Sequence, residues 1–126
     1  MSRYTWREVS RSCMKILLLD KDGTLVVPAS GAKFTNEPLD QAALPGVHKA
    51  IARFVADGYK PVIVSNQGGV EKGHKSLESA ILEMQFALEL FPAVTEAYFC
   101  PNFAGDVCWR VWGNRNEAHR IESDAN

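Results

Sequence analysis

The chain has 126 residues, 46% hydrophobic and 23% charged, which fits one globular domain and excludes bulk disorder. Lys and Arg number 14 and Asp and Glu 15, so the formal net charge is -1 and no basic footprint points to nucleic acid. No apolar run is long enough to span a bilayer, so no membrane is expected as a partner.

Residues 1–13 carry Arg3, Arg7 and Arg11 but no apolar stretch, and read as a short extension rather than a secretory signal. The three cysteines, Cys13, Cys100 and Cys108, are an odd number without a signal sequence, which predicts reduced thiols in the cytoplasm. Ile16 to Leu19 is a continuous apolar run ending in Asp20, the pattern of a strand buried on both faces. Lys21-Asp22-Gly23-Thr24 turns the chain, and Leu25-Val26-Val27 continues as an extended flap. Pro28 to Asp40, with two prolines and a glycine, is a loop.

Val47, Ala50, Ile51, Phe54 and Val55 form one apolar helical stripe, which Gly58 ends in a left-handed cap. Pro61 then opens a second buried strand, Val62-Ile63-Val64, which runs into Ser65-Asn66-Gln67-Gly68-Gly69. Ser76 caps a second helix whose stripe is Leu77, Ile81, Met84, Leu88 and Phe91, stopped by Pro92. Ala97 to Cys100 reads as a third strand. Beyond Pro101 the chain is expected to be irregular, anchored by Trp109 and Trp112, with a polar, frayed tail over 114–126. Strand, helix, strand, helix, strand predicts an α/β fold, a Rossmann-like parallel sheet with flanking helices and ligands at the carboxyl ends of the strands. The expected organisation is an extension over 1–13, a domain over 14–113 and the tail over 114–126.

Two strand ends carry groups suited to phosphate chemistry. Asp20 is ionised at neutral pH and can attack phosphorus as a carboxylate. Asp22, two residues on, can protonate a leaving oxygen and then activate water. Gly23 permits a backbone twist that a side chain would obstruct. Two carboxylates facing a phosphate call for a hard cation such as Mg²⁺. At the second strand end, the Ser65 hydroxyl and a Gly-rich turn make a phosphate cradle. Lys72, His74 and Lys75 follow it and add positive potential. Each constellation by itself also fits an ordinary strand-to-loop transition; their position at the same end of a parallel sheet favours chemistry.

Leu17 to Val26 resembles motif I of the haloacid dehalogenase (HAD) superfamily, and Val62 to Gly69 resembles its motif II. Leu44-Pro45-Gly46-Val47, Gly58-Tyr59 and Ser65-Asn66-Gln67 are similar to a narrower group, the histidinol-phosphate, heptose-bisphosphate and polynucleotide 3′-phosphatases. The resemblance spans Met14 to Cys108. It implies that Asp20 is the nucleophile and a magnesium ligand. It implies that Asp22 is the general acid/base and binds magnesium through its carbonyl. Gly23, Thr24, Ser65 and Asn66 are then the substrate-binding residues.

Some heptose-bisphosphate phosphatases carry a zinc loop where this chain has Cys100, Asn102, Cys108 and Arg110. Two cysteines are too few for structural zinc, so reduced structural thiols are expected. The family also uses a motif III lysine and a motif IV acid at the end of a further strand. No lysine follows Cys108, and Asp106, Glu117, Glu122 and Asp124 follow no apolar strand. Arg110 is a stand-in for the lysine's charge only in part, since a planar guanidinium differs from an ammonium.

The fold is therefore expected to be incomplete on its C-terminal side, as in a fragment, with an exposed edge on the Asp20 strand. That edge offers a homodimer contact. The function expected is a Mg²⁺-dependent phosphatase acting on a small phosphorylated substrate. The alternatives are an impaired relative that binds a phosphorylated ligand or a partner chain, and a polynucleotide 3′-phosphatase, which the near-neutral charge does not favour.

Overall fold

A computed structural model describes residues 14–113 and 117–121. The expected extension at 1–13 with Cys13, and Glu122 and Asp124 in the expected tail, lie outside the described residues. The elements are β1 (Lys15–Asp20), β2 (Val26–Val27), β3 (Ala42–Ala43), α1 (Val47–Ala56), β4 (Tyr59–Asn66), α2 (Leu77–Leu90), β5 (Glu96–Cys100), β6 (Cys108–Trp112) and β7 (Glu117–Ile121). Five strands form one sheet in the order β1-β4-β5-β6-β7, while β2 and β3 make a separate antiparallel ribbon.

The β1–β4 and β4–β5 pairs are parallel, as the alternation of strands and helices predicts. Their register sets Asp20 beside Val64 and Ser65 beside Phe99. Asp20 and the Gly-rich turn therefore leave the sheet at the same end. Ser76 caps α2, its side chain accepting from the Ser79 amide at 3.0 Å. Gly58 has φ 89°, the left-handed geometry its place after α1 requires. The core is built by Ile63, Phe99 and Val111 from the sheet, Met84, Ala87 and Leu88 from α2, and Leu25 and Val26 from the ribbon side, with Phe91 and Val94 closing it.

Three expectations are corrected. The segment after Pro101 is not irregular throughout: β6 runs antiparallel to β5, and β7 antiparallel to β6. The expected frayed tail over 114–126 thus contains a strand. Val111 is buried opposite Ala97, with Ala118 across from it on β7, so one small apolar face suffices to hold both additions. Second, β1 is not buried on both faces: Ile16 is 51% and Leu18 64% exposed. It is an edge strand, as expected, with no partner on its outer side among the described residues. Third, the α1 stripe is mostly open: Ile51 is buried, but Phe54 and Val55 are exposed. Phe54 meets the Tyr59 ring edge to face, at 5.4 Å between ring centroids.

Arg110 is also accounted for. Its guanidinium pairs with Glu96 at 2.5 Å and lies 4.4 Å over the Trp112 ring. Lys60 meets the other Glu96 oxygen at 2.8 Å. Both Lys60 and Glu96 lie near the amino ends of their strands, away from Asp20, so Arg110 does not replace the motif III lysine. Lys60, and then Arg110, hold the Glu96 carboxyl below its ordinary range against the opposing effect of burial. A carboxyl depressed on folding contributes stability above its unfolded pKa and loses it as pH falls through the lower folded value. Glu96→Gln is expected to cost about 1 kcal/mol at neutral pH. Urea unfolding should show that difference shrinking on acidification below the ordinary glutamate pKa of 4.5.

Candidate active site

The turn after β1 is closed by two carbonyls, that of Val26 accepting the Gly23 amide at 2.9 Å. The Lys21 carbonyl receives the amides of Thr24, Leu25 and Val26 at 3.3, 2.9 and 3.2 Å. Gly23 sits in this turn with φ 77°, a conformation that L side chains rarely adopt. The result points Asp20 and Asp22 outward while Lys21 turns inward and is fully buried. Asp20 is exposed, and Thr24 Oγ1 donates to its Oδ2 at a long 3.3 Å. Asp22 is fixed on both oxygens: Lys21 Nζ lies 2.6 Å from Oδ1, and Gln67 Nε2 donates to Oδ2 at 3.3 Å.

The second turn follows β4. Asn66 Oδ1 accepts the Gly68 amide at 3.0 Å, and Asn66 Nδ2 donates to the Asn102 carbonyl at 3.3 Å. Ser65 is almost buried, its Oγ accepting from Gln67 Nε2 at 2.9 Å, which leaves its own proton to donate. The Phe103 ring packs close on Gly68: a Cβ there would lie 2.5 Å from the ring and would displace it. The neighbouring loop is thereby laid across the turn, with Lys72 Nζ 5.2 Å from the Phe103 centroid on the far side.

A cleft of about 730 Å³ opens here. Of the residues singled out in the sequence, Asp22, Gly23 and Asn66 line it, whereas Asp20, Thr24 and Ser65 are not among its lining. Gln67 and Lys75 line it too, and Lys33, Phe34, His74 and Phe103 complete it. Gln67 was legible only as part of the Ser-Asn-Gln run, and nothing in the sequence marked its contact with Asp22. Glu83, outside the apolar stripe of its helix, is also on the cleft and is 1% exposed.

Among the described residues no group of three or more His, Cys, Asp or Glu side chains gathers in a way that could hold a metal ion. Asp20 nevertheless offers an exposed carboxylate with one weak internal bond, and Mg²⁺ commonly takes one or two carboxylates with waters and substrate phosphate. The donor set at the β1 turn fits such a loosely held ion. Cys100 and Cys108 are free, and burial, then the neighbouring Cys100, push the Cys108 thiol up.

Fold and strand-end geometry define a HAD-like phosphatase domain with an unclosed sheet. Residues 15–122 match the family model described as polynucleotide kinase 3 phosphatase, and the chain belongs to that family. It is 34% identical over 99 residues to the D-glycero-beta-D-manno-heptose-1,7-bisphosphate 7-phosphatase of Bordetella bronchiseptica, covering 75% of this chain and 54% of that protein. It is 28% identical over 100 residues to a probable enzyme of the same name from Thermoplasma volcanium, covering 75% of this chain and 66% of that one. The crystal structure of the B. bronchiseptica D,D-heptose 1,7-bisphosphate phosphatase with magnesium and phosphate matches with a TM-score of 0.54 and 31% identity, over 74% of this chain and 53% of that one. The chain thus spans between half and two thirds of the length of these relatives. No helix among the described residues is long and apolar enough to cross a membrane.

The packing of Phe103 on Gly68 can be read directly. Gly68→Ala is expected to push the ring off the turn without unfolding the domain, since the ring is exposed and free to swing. Proton NMR should then show the Lys72 side-chain methylenes losing their upfield ring-current shift.

Proposed function

We propose that the chain is a Mg²⁺-dependent phosphomonoester hydrolase that acts on a small phosphorylated metabolite through an aspartyl-phosphate. The observation that carries this reading is the placement of Asp20 and the Ser65–Gly69 turn at the same ends of adjacent parallel strands. Membership of a phosphatase family supports it.

In this reading Asp20 attacks phosphorus, and the bond to the ester oxygen breaks. Asp22 gives that oxygen its proton. Asp22 then takes a proton from water, which attacks the aspartyl-phosphate, releases phosphate and restores Asp20. Ser65 and Asn66 hold phosphoryl oxygens, and Gly23 and Thr24 shape the turn around them. Mg²⁺, held by the Asp20 carboxylate and the Asp22 carbonyl, would neutralise the charge that carboxylates and phosphate bring together. The unit that does this is the five-stranded domain from β1 to β7, which takes in part of the expected tail, in the reducing cytoplasm.

A second reading is a polynucleotide 3′-phosphatase. Phe34 and Phe103, both exposed, and Lys33 and Lys72 stand around the cleft, and such a rim suits stacked bases and backbone phosphates. A chain that only binds phosphorylated ligands is the outcome left if turnover is absent.

The test is hydrolysis of an aryl phosphate and of a 3′-phosphorylated oligonucleotide, with and without Mg²⁺, beside Asp20→Asn. Magnesium-dependent turnover that the substitution lowers by several powers of ten is expected. Turnover of neither substrate above the Asp20→Asn background would sink the hydrolase reading. The homodimer expected at the β1 edge belongs to the same reading of the fold. Sedimentation equilibrium should find self-association that Leu18→Lys abolishes without loss of stability; a wild-type monomer at high concentration would remove the dimer.

A further inference from the structure

Five side chains form a closed ring beneath the cleft. Lys21 Nζ contacts Asp22 Oδ1 at 2.6 Å and Glu83 Oε2 at 2.9 Å, the second contact an ion pair by distance whose angles fall outside hydrogen-bond geometry. Glu83 Oε1 receives Lys75 Nζ at 2.8 Å, Lys75 Nζ donates to Gln67 Oε1 at 3.0 Å, and Gln67 Nε2 returns to Asp22 Oδ2 at 3.3 Å. Lys21 is 0% and Glu83 1% exposed.

We propose that Glu83 is a positioning residue, which from α2 fixes the Asp22 carboxylate through Lys21 on one side and through Lys75 and Gln67 on the other. The inference rests on the reading of Asp22 as acid/base and adds a residue to it.

Stability alone gives a weak account of this cluster. Taking charges from water costs several kcal/mol per ion, and apolar residues of the same volume commonly do as well. What the ring provides is direction. Both paths leaving Glu83 end on Asp22, one on each oxygen. Asp22 is the one member of the ring whose side chain is half exposed. The ring also reaches the flap loop, because Lys75 Nζ donates to the Thr35 carbonyl at 3.2 Å. Gln41 Nε2 donates to the Glu83 carbonyl at 2.9 Å and fixes the backbone that carries the carboxylate. Without the Glu83 charge, the Lys21 ammonium would keep Asp22 as its one carboxylate partner, and Lys75, which holds the Gln67 amide, would lose its own.

The test uses Glu83→Gln, which keeps shape and removes charge, with Lys75→Met as a second variant that opens only one side of the ring. The first readout is independent of turnover: ¹³C NMR of side-chain-carboxyl-labelled aspartate, with the Lys21 and Lys75 ammonium signals in ¹⁵N spectra. Glu83→Gln should move the Asp22 carboxyl resonance and remove the slowly exchanging Lys21 ammonium. Lys75→Met should move the Asp22 resonance while Lys21 stays protected, and it reads the proposal if Glu83→Gln does not fold. The second readout is aryl phosphate hydrolysis, where Glu83→Gln should lower kcat roughly 10- to 100-fold with KM little changed, the signature of a misplaced transition-state group. An unmoved Asp22 resonance in both variants would overturn the proposal. A wild type without turnover but with the expected NMR changes would overturn the hydrolase reading and leave the positioning role standing.

Discussion

The ammonium of Lys21 has no access to water, and much of the site's geometry follows from that. Its backbone carbonyl holds the turn that aims Asp20 and Asp22 outward, while its side chain needs two carboxylates inside the protein. One is its neighbour in sequence; the other must come from α2. The first turns of that helix, the Gly-rich turn before it and the β1 turn are thereby drawn to a common point, and a cleft is left where they meet. The second ammonium, Lys75, enters from the segment between turn and helix and shares Glu83 with the first. An apolar core could hold α2 on the sheet, but it would not fix where the helix stops sliding along its axis. A pair of buried charges with one common partner does.

The sheet is finished unevenly. On one side β6 and β7 extend it by antiparallel strands of modest burial. On the other, β1 presents Ile16 and Leu18 to solvent, although it carries Asp20 at its tip. The strand that holds the proposed nucleophile is therefore an edge strand, paired on one side among the described residues. Among the described residues its one strand partner is β4, through six register pairs from Lys15–Tyr59 to Asp20–Val64, and Leu19 packs against the core. Local opening of this strand is a low-energy motion compared with that of β4, which is paired on both edges.

The parts legible in the sequence were those with a local signal. Apolar runs placed β1, β4 and most of β5; the Ser76 cap, the Leu77-to-Phe91 stripe and Gly58 fixed the helix ends. Asp22 and Gly23 stood out because turn chemistry and phosphate chemistry use the same residue types, and Asn66 through the resemblance to motif II; all three line the cleft. What escaped was non-local. Cys108 to Trp112 mixes tryptophans with arginine and gives no clean alternation, so only its pairing with β5 reveals a strand. The α1 stripe and the Ile16–Leu19 run promised burial, but burial needs a facing layer, and a strand or helix cannot specify its neighbour. Lys75 was legible only as positive potential after the Gly-rich turn and Glu83 not at all, because only the fold brings them to Lys21 and Gln67.

The loop that carries Phe103 is bound to the phosphate turn at several points. Gln67 donates its amide to the Cys100 carbonyl at 2.8 Å, Glu71 its amide to the Pro101 carbonyl at 3.2 Å, and the Phe103 amide returns to the Glu71 carboxylate at 2.9 Å. Together with the Asn66–Asn102 bond, these ties join the two loops into one body. In many enzymes a surface loop diverges freely while the chemical centre stays fixed. Here an exchange of residues 101–107 for a loop of another length would reach the phosphate turn itself. Under the proposed function, selectivity at the rim and grip on a phosphoryl group would be mechanically one trait, to be altered together in any redesign of this cleft.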